Sequence, residues 1–223
     1  MPAVPGPAAN SRVPSDAVPS DPPSGDLALA VLVPVKAFDQ AKGRLARVLS
    51  PSQRAALARD MATNVVRAGQ GLAVSVVCDD LAVAEWARSV GAAVLWCPGR
   101  GLDQAVSDGM AALGASGFGR VIVAHSDLPL AESLGWVGAF DGITIVPDRR
   151  EDGTNVICVP TAVPFTFAYG PASFARHRAE ARRLGLALRV VRDRRLGFDV
   201  DTPEDLQELN QPDGDDPRTT PSP

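Results

Sequence analysis

The segment Phe198-Asp199-Val200-Asp201 sets two carboxylates two residues apart. In an extended chain such residues point to the same side. Two like charges that close are unfavourable unless a cation lies between them. The residues that follow, Thr202-Pro203-Glu204-Asp205, read as an N-cap, a proline at N1 and an acid at N3. That helix start explains itself without either aspartate. The pair Asp199 and Asp201 is therefore read as a Mg²⁺ site, since this hard cation takes oxygen ligands and shares one or two carboxylates with substrate phosphates. A third acid, Asp127, stands in Ser126-Asp127-Leu128-Pro129, directly after the apolar run Val121 to Ala124. Alone it would pass for an Asx turn or a helix cap. Beside the pair it becomes the third metal candidate.

Cations gather in a polar loop after the first apolar run. Lys36, Lys42 and Arg44 lie there, and the chain has no other lysine among its 22 basic residues. Such a loop can hold a triphosphate, with lysine as a point charge on phosphate oxygens; a solvated basic loop would show the same residues. Gly153-Thr154-Asn155 and Gly170-Pro171-Ala172-Ser173 could bring backbone N–H groups and a helix N-terminus to an acceptor's carboxylate or phosphate, or they are an ordinary turn and helix start. Gly101-Leu102-Asp103-Gln104 opens a helix and could read a base, or simply cap that helix. His125 and His177 are isolated and read as structural. Neither a Ser/His/Asp or Cys/His arrangement nor a Walker-type phosphate loop is legible.

These residues need a scaffold, and the apolar pattern supplies one. Strand-like runs at 28–35, 74–78, 92–96, 120–124, 143–146, 155–159 and 186–191 alternate with helical stretches at 51–68, 81–90, 102–113 and 171–184, with a short helix after 124 and a last helix opening at Thr202-Pro203. The alternation predicts a single α/β domain with a mostly parallel, mixed sheet and helices on both faces. In such folds ligands bind outside the carboxyl ends of the strands. The domain spans 27–210. Residues 1–26 and 211–223 are rich in Pro, Ser and Asp without apolar periodicity and read as disordered tails. Each tail carries one arginine and three aspartates, so the net charge of −4 falls on the tails and the body is neutral. A neutral body argues against a nucleic-acid binder. No apolar run approaches the ~18 residues of a membrane span, and the N-terminus lacks a secretory signal pattern. Three widely spaced cysteines, Cys78, Cys97 and Cys158, suit a reducing compartment, so a cytoplasmic protein is expected.

Taken in order, the motifs resemble the CofC/FbiD guanylyltransferases of coenzyme F-420 biosynthesis. The resemblance runs over 29–209: Pro-Val-Lys with Ala-Lys-Gly-Arg-Leu, Gly-Leu-Asp-Gln-Ala, Ser-Asp-Leu-Pro, Gly-Thr-Asn, Gly-Pro-Ala-Ser-Phe and Asp-Val-Asp-Thr-Pro-Glu-Asp-Leu. It implies a Rossmann-like nucleotidyltransferase fold of the GT-A type and transfer of GMP from GTP to phosphoenolpyruvate or 2-phospho-L-lactate. It also implies Mg²⁺, two ions, on Asp127, Asp199 and Asp201. Lys36, Lys42 and Arg44 would neutralise the departing diphosphate. Thr154, Gly170 and Ser173 would contact the acceptor, and Gly101, Leu102, Asp103 and Gln104 the nucleotide. Two positions depart from the family pattern: Asp103, where asparagine is expected, and His125. Arginine and alanine usage suggests a GC-rich, actinobacterial-type genome, which favours phosphoenolpyruvate. The next enzyme of the pathway is a candidate partner. The competing readings are a GT-A glycosyltransferase, another nucleotidyltransferase, and a non-enzymatic nucleotide-binding subunit.

Overall fold

The computed structural model describes residues 28–211. The tails read at 1–26 and 211–223 lie outside those residues, apart from Gln211. The chain runs β1 (Leu29–Pro34), α1 (Pro51–Ala68), β2 (Ala73–Cys78), α2 (Leu81–Ser89), β3 (Ala93–Trp96), α3 (Leu102–Ala115), β4 (Arg120–Ala124), β5 (Ile143–Pro147), β6 (Thr154–Pro160), α4 (Ser173–Arg183), β7 (Leu188–Val190) and α5 (Pro203–Leu209). Short 3₁₀ turns occupy Phe38–Gln40, Gly43–Arg47 and Gly135–Ala139, the last of them where a short helix was expected after β4.

One seven-stranded sheet carries the domain, in the order β3-β2-β1-β4-β6-β5-β7. Only β6 runs against its neighbours; the other pairings are parallel. The exception has a local cause. β5 and β6 form a hairpin whose loop is tied by one side chain: Asp148 accepts from the N–H groups of Arg150, Asp152 and Gly153 at 2.8–3.0 Å. A Cβ on Gly153 would lie 2.8 Å from Asp148 Oδ2. The anion that Gly153 approaches is thus the chain's own carboxylate.

Strand alternation splits the core in two. Val31 and Val33 of β1 pack with α1 and α2, whereas Ala30 and Leu32 pack with α3 and α4. β1 is buried on both faces, as a continuous apolar run in a covered parallel sheet should be. Capping follows the sequence closely. Ser50 and Gln53 form a reciprocal box at α1, Asp80 caps α2, and Thr202 with Asp205 boxes α5. One expectation shifts: helix α4 begins at Ser173 rather than Pro171, because Ala172 sits in the left-handed region at φ 58°. Asp199 and Asp201 follow an irregular turn.

Candidate active site

A cavity of about 650 Å³ opens at the carboxyl ends of β1 to β4, within the ~300–1,000 Å³ usual for small-molecule sites. Pro34 to Lys36 enter it after β1, Cys78 to Asp80 after β2, Cys97 and Arg100 after β3, and His125 to Asp127 after β4. Leu102 and Ala105 of α3 close one side, and Lys42 lies near Asp127 on another.

The charged centre is assembled from three distant segments. Lys42 Nζ donates to Asp127 Oδ2 at 2.8 Å and to Asp201 Oδ1 at 3.0 Å. Arg44 adds a longer contact to Asp201 at 3.5 Å. The Lys42 side chain is 8% exposed, Asp127 23% and Arg44 75%. Lys42 also takes a left-handed backbone at φ 55°, a strained choice for a residue with a Cβ and one that often marks a functional position. Burial opposes the Lys42 charge, but Asp127 and Asp201 outweigh it and raise its pKa. Burial likewise opposes the Asp127 charge, and Lys42, with a smaller contribution from His125, holds its pKa below the usual value. Asp199 is different. Burial, and then Asp127 and Asp201, push its carboxyl upward, so it lies in their field without a cation of its own.

Packing brings the acidic strip to Asp127. Phe198 and Val200 insert beside Leu45 and Met61, which turns Asp199 and Asp201 to the opposite side. The Val200 N–H reaches the Asp127 carbonyl at 3.4 Å. Buried Asp205 accepts from the Asp201 N–H at 2.9 Å, so the cap of α5 anchors the acid before it. Asn64 was not singled out by the sequence. Its amide donates to the carbonyls of Leu128, Pro129 and Ala131 at 2.9–3.3 Å and holds the loop that carries Asp127. An asparagine inside an amphipathic helix offers no signal of such a role.

The three acids lie within one another's field but do not close a cage: no group of three metal-ligating side chains converges among the described residues. The Lys42 ammonium lies between Asp127 and Asp201. Asp127 Oδ1 is buried without a partner. A hard cation that takes most of its ligands from phosphate and water fits such a partial set.

The other predicted residues fall in varied places. Lys36 is exposed at the cavity rim. Gly101 caps α3 and Leu102 lines the cavity, but Asp103 accepts from the Tyr169 N–H at 2.7 Å and Gln104 donates to Asp108 at 2.7 Å. Both polar side chains are therefore spent within the fold. Thr154 and Ser173 are brought together and turned inward: the Thr154 N–H donates to Ser173 Oγ at 3.0 Å, and both are buried. Gly170, at φ 91°, is exposed in the turn before α4. The N-terminus of α4 already meets an anion, since Asp152 Oδ1 accepts from the Ala172 N–H at 3.1 Å. Thr154, Gly170 and Ser173 are thus not among the residues that line the cavity. His125, read as structural, lines the cavity beside Asp127; its place two residues before that acid was the available signal.

His177 is structural and has a consequence for stability. Its Nε2 accepts from the Ala168 N–H at 3.0 Å, so Nδ1 carries the hydrogen given to Thr154 Oγ1 at 3.0 Å. Burial pushes its pKa down to about 4, against about 6.5 unfolded. The unfolded chain therefore binds the proton first, and stability present above the unfolded value is lost as pH falls towards the folded one. Urea unfolding of the wild type should lose ~2 kcal/mol between pH 7 and pH 5 from this group. His177→Gln should lack that loss, and parallel pH profiles would contradict the assignment.

The architecture is the nucleotide-diphospho-sugar transferase fold, and the chain is a nucleotidyltransferase. A solved structure described as a nucleotide-diphospho-sugar transferase from Desulfovibrio desulfuricans G20 superposes with a TM-score of 0.65 at 17% identity, over 81% of this chain and 85% of the other. Residues 29–219 match the family model for guanylyl transferase CofC like proteins, and the chain belongs to that family. It is 40% identical to the phosphoenolpyruvate guanylyltransferase of Rubrobacter xylanophilus, over 82% of this chain and 94% of the relative. It is 34% identical to the 2-phospho-L-lactate guanylyltransferase of Methanothermobacter thermautotrophicus, over 80% and 82%. No helix among the described residues is long and apolar enough to cross a membrane.

Proposed function

We propose that this enzyme transfers GMP from GTP to phosphoenolpyruvate with release of diphosphate, in the cytoplasm, as a step of coenzyme F-420 biosynthesis. The observation that carries it is the Lys42-bridged pair Asp127 and Asp201, of which Lys42 and Asp127 line a strand-end cavity, in a member of a guanylyltransferase family. Asp127, Asp199 and Asp201 would hold Mg²⁺, which when bound screens the two anionic reactants and stabilises the attacking and leaving oxygens.

The residues themselves do the rest. The acceptor phosphate has a second pKa of about 6 and is largely dianionic at neutral pH, so no protein base is needed. Lys36 at the rim and Lys42 within supply positive charge for the triphosphate, and Arg44 extends it outward to the departing diphosphate. Leu102, Ala105 and Asp79 also line the cavity, and the Asp79 carboxylate is an acceptor suited to a guanine N–H. Thr154, Gly170 and Ser173 are the acceptor contacts the family resemblance implies; Gly170 is the exposed one of the three, and orienting the acceptor there would contribute to rate. The product joins a phosphoanhydride to an enol ester, and direct handover to the next enzyme follows from that lability.

2-Phospho-L-lactate is the second reading, on the strength of the Methanothermobacter relative. The two acids differ by a planar methylene against a methyl on a tetrahedral carbon, worth only ~1–3 kcal/mol in a small pocket. Equal amounts of both, with 3-phosphoglycerate as a larger control, should be incubated with Mg²⁺ and each of GTP, ATP, CTP and UTP. Mass spectrometry should find the guanylyl adduct of phosphoenolpyruvate in excess. A pool dominated by the phospholactate adduct would favour the second reading, and no adduct with GTP would remove both.

A further inference from the structure

Two buried polar atoms near Asp127 have no hydrogen-bond partner: His125 Nε2 and the Tyr169 hydroxyl. Their rings lie against each other, with centroids 5.1 Å apart and planes at 46°. An unpaired buried donor or acceptor is costly, and native structures seldom keep one without a reason. Here two adjoin. His125 lines the cavity together with Ser126 and Asp127. Its N–H donates to the Asn155 carbonyl at 2.9 Å, and the Asn155 amide reaches Asp199 at 3.5 Å, so His125 is built into the frame of the acidic centre. Tyr169 is held on several sides. Its N–H is fixed by Asp103 and its carbonyl by Arg176, both at 2.7 Å. Its ring stacks on Phe167 and meets His177 edge-on.

Resting on the function proposed above, we infer that His125 contacts the anion of the acceptor acid and that Tyr169 is the residue that positions it. The two atoms are not bonded to each other in this structure; a hydrogen bond from the Tyr169 hydroxyl to His125 Nε2 would pair both at once. Nε2 would then accept and the ring hydrogen would sit on Nδ1, which makes that N–H the donor His125 would offer to the anion. A phosphorylated acid docked beside Asp127 brings oxyanions that need donors, and the neighbouring carboxylates supply none. Asp103 acts one step further back, through the Tyr169 backbone. An asparagine there would accept the same N–H through its Oδ1.

The test uses the full chain labelled with ¹⁵N. It has only two histidines, so His125→Gln assigns both ring spectra. The wild type with GTP should show His125 as the Nδ1–H tautomer, and adding phosphoenolpyruvate should shift that signal while His177 stays put. Tyr169→Phe keeps the ring, removes the hydroxyl, and should mix the His125 tautomers. His125→Ala should raise KM for the acid about tenfold or more, as expected for a lost hydrogen bond to a charged group. KM for GTP should hold within about twofold. His125→Gln, which retains an N–H donor, should recover part of the loss at matched melting temperature. An unchanged acid KM in His125→Ala, with a His125 signal that ignores the acid, overturns the inference. A wild type that transfers GMP to no acid overturns the function instead, and the titration still decides whether His125 meets the anion.

Discussion

Asp127→Asn should lower kcat by about three orders of magnitude, the size expected when several kcal/mol of transition-state charge stabilisation are removed. The substitution is nearly isosteric. The amide oxygen can still accept from Lys42, and the backbone frame from Asn64 and Val200 does not involve the side chain. The fold should therefore survive while the charge is lost. Asp127 is the most informative of the three acids because one of its oxygens is engaged by Lys42 and the other is buried and unpaired. Single-turnover measurements at saturating GTP and acid, with the melting temperature as control, read the effect directly. A kcat within about tenfold of the wild type would show that Asp127 is a structural partner of Lys42 and little more.

Lys42→Met should act on stability and on turnover together. The lysine is nearly buried between two acids, and removing one member of a buried pair leaves charge uncompensated. The expected loss is ~3 kcal/mol, the low end for such a break, because Asp201 is 39% exposed and water can screen it. The pH range follows from the directions of shift. The Lys42 pKa is raised, so its contribution is complete below the ordinary lysine value of about 10.4 and fades as pH rises through the folded value. The Asp127 pKa is lowered, so its contribution is complete above about 3.9 and fades as pH falls through the folded value. The deficit of the variant should accordingly be flat across neutral pH. Methionine also exposes the acids to a competing cation. Added Mg²⁺ should raise the melting temperature of Lys42→Met more than that of the wild type, where the ammonium stands in the way. Equal Mg²⁺ responses in the two proteins would argue against a shared place.

The helix boundaries were legible because their signals are local. Ser50-Pro51 with Gln53, and Thr202-Pro203 with Asp205, contain their own hydrogen-bond partners within one turn. Strand β4 was legible because its apolar run, Val121 to Ala124, is too short for a helix and is rich in β-branched residues. The start of α4 was misplaced because a left-handed Ala172 carries no residue-type signature, unlike a glycine. The polar side chains of the base-reading and acceptor motifs were harder still. Asp103, Thr154 and Ser173 sit in the expected order along the chain, yet each bonds to a residue at least 19 positions away, and no spacing rule reaches that far.

Apolar periodicity determined the α/β class, residue type and near-neighbour spacing singled out the three acids and two lysines at issue, and the motifs taken in order carried the family resemblance. Only the tertiary structure decided what those residues face. Lys42, Asp127 and Asp201 come from segments separated by 85 and 159 positions. They meet because parallel strands end on one edge of the sheet and Phe198 and Val200 bury against α1 and the turn that carries Leu45. That meeting gives Lys42 two carboxylate partners that residue type and spacing did not show. The same packing turns Thr154 and Ser173 inward and leaves His125 at the cavity wall. Side-chain direction depends on which neighbours burial supplies, and a linear pattern does not encode them.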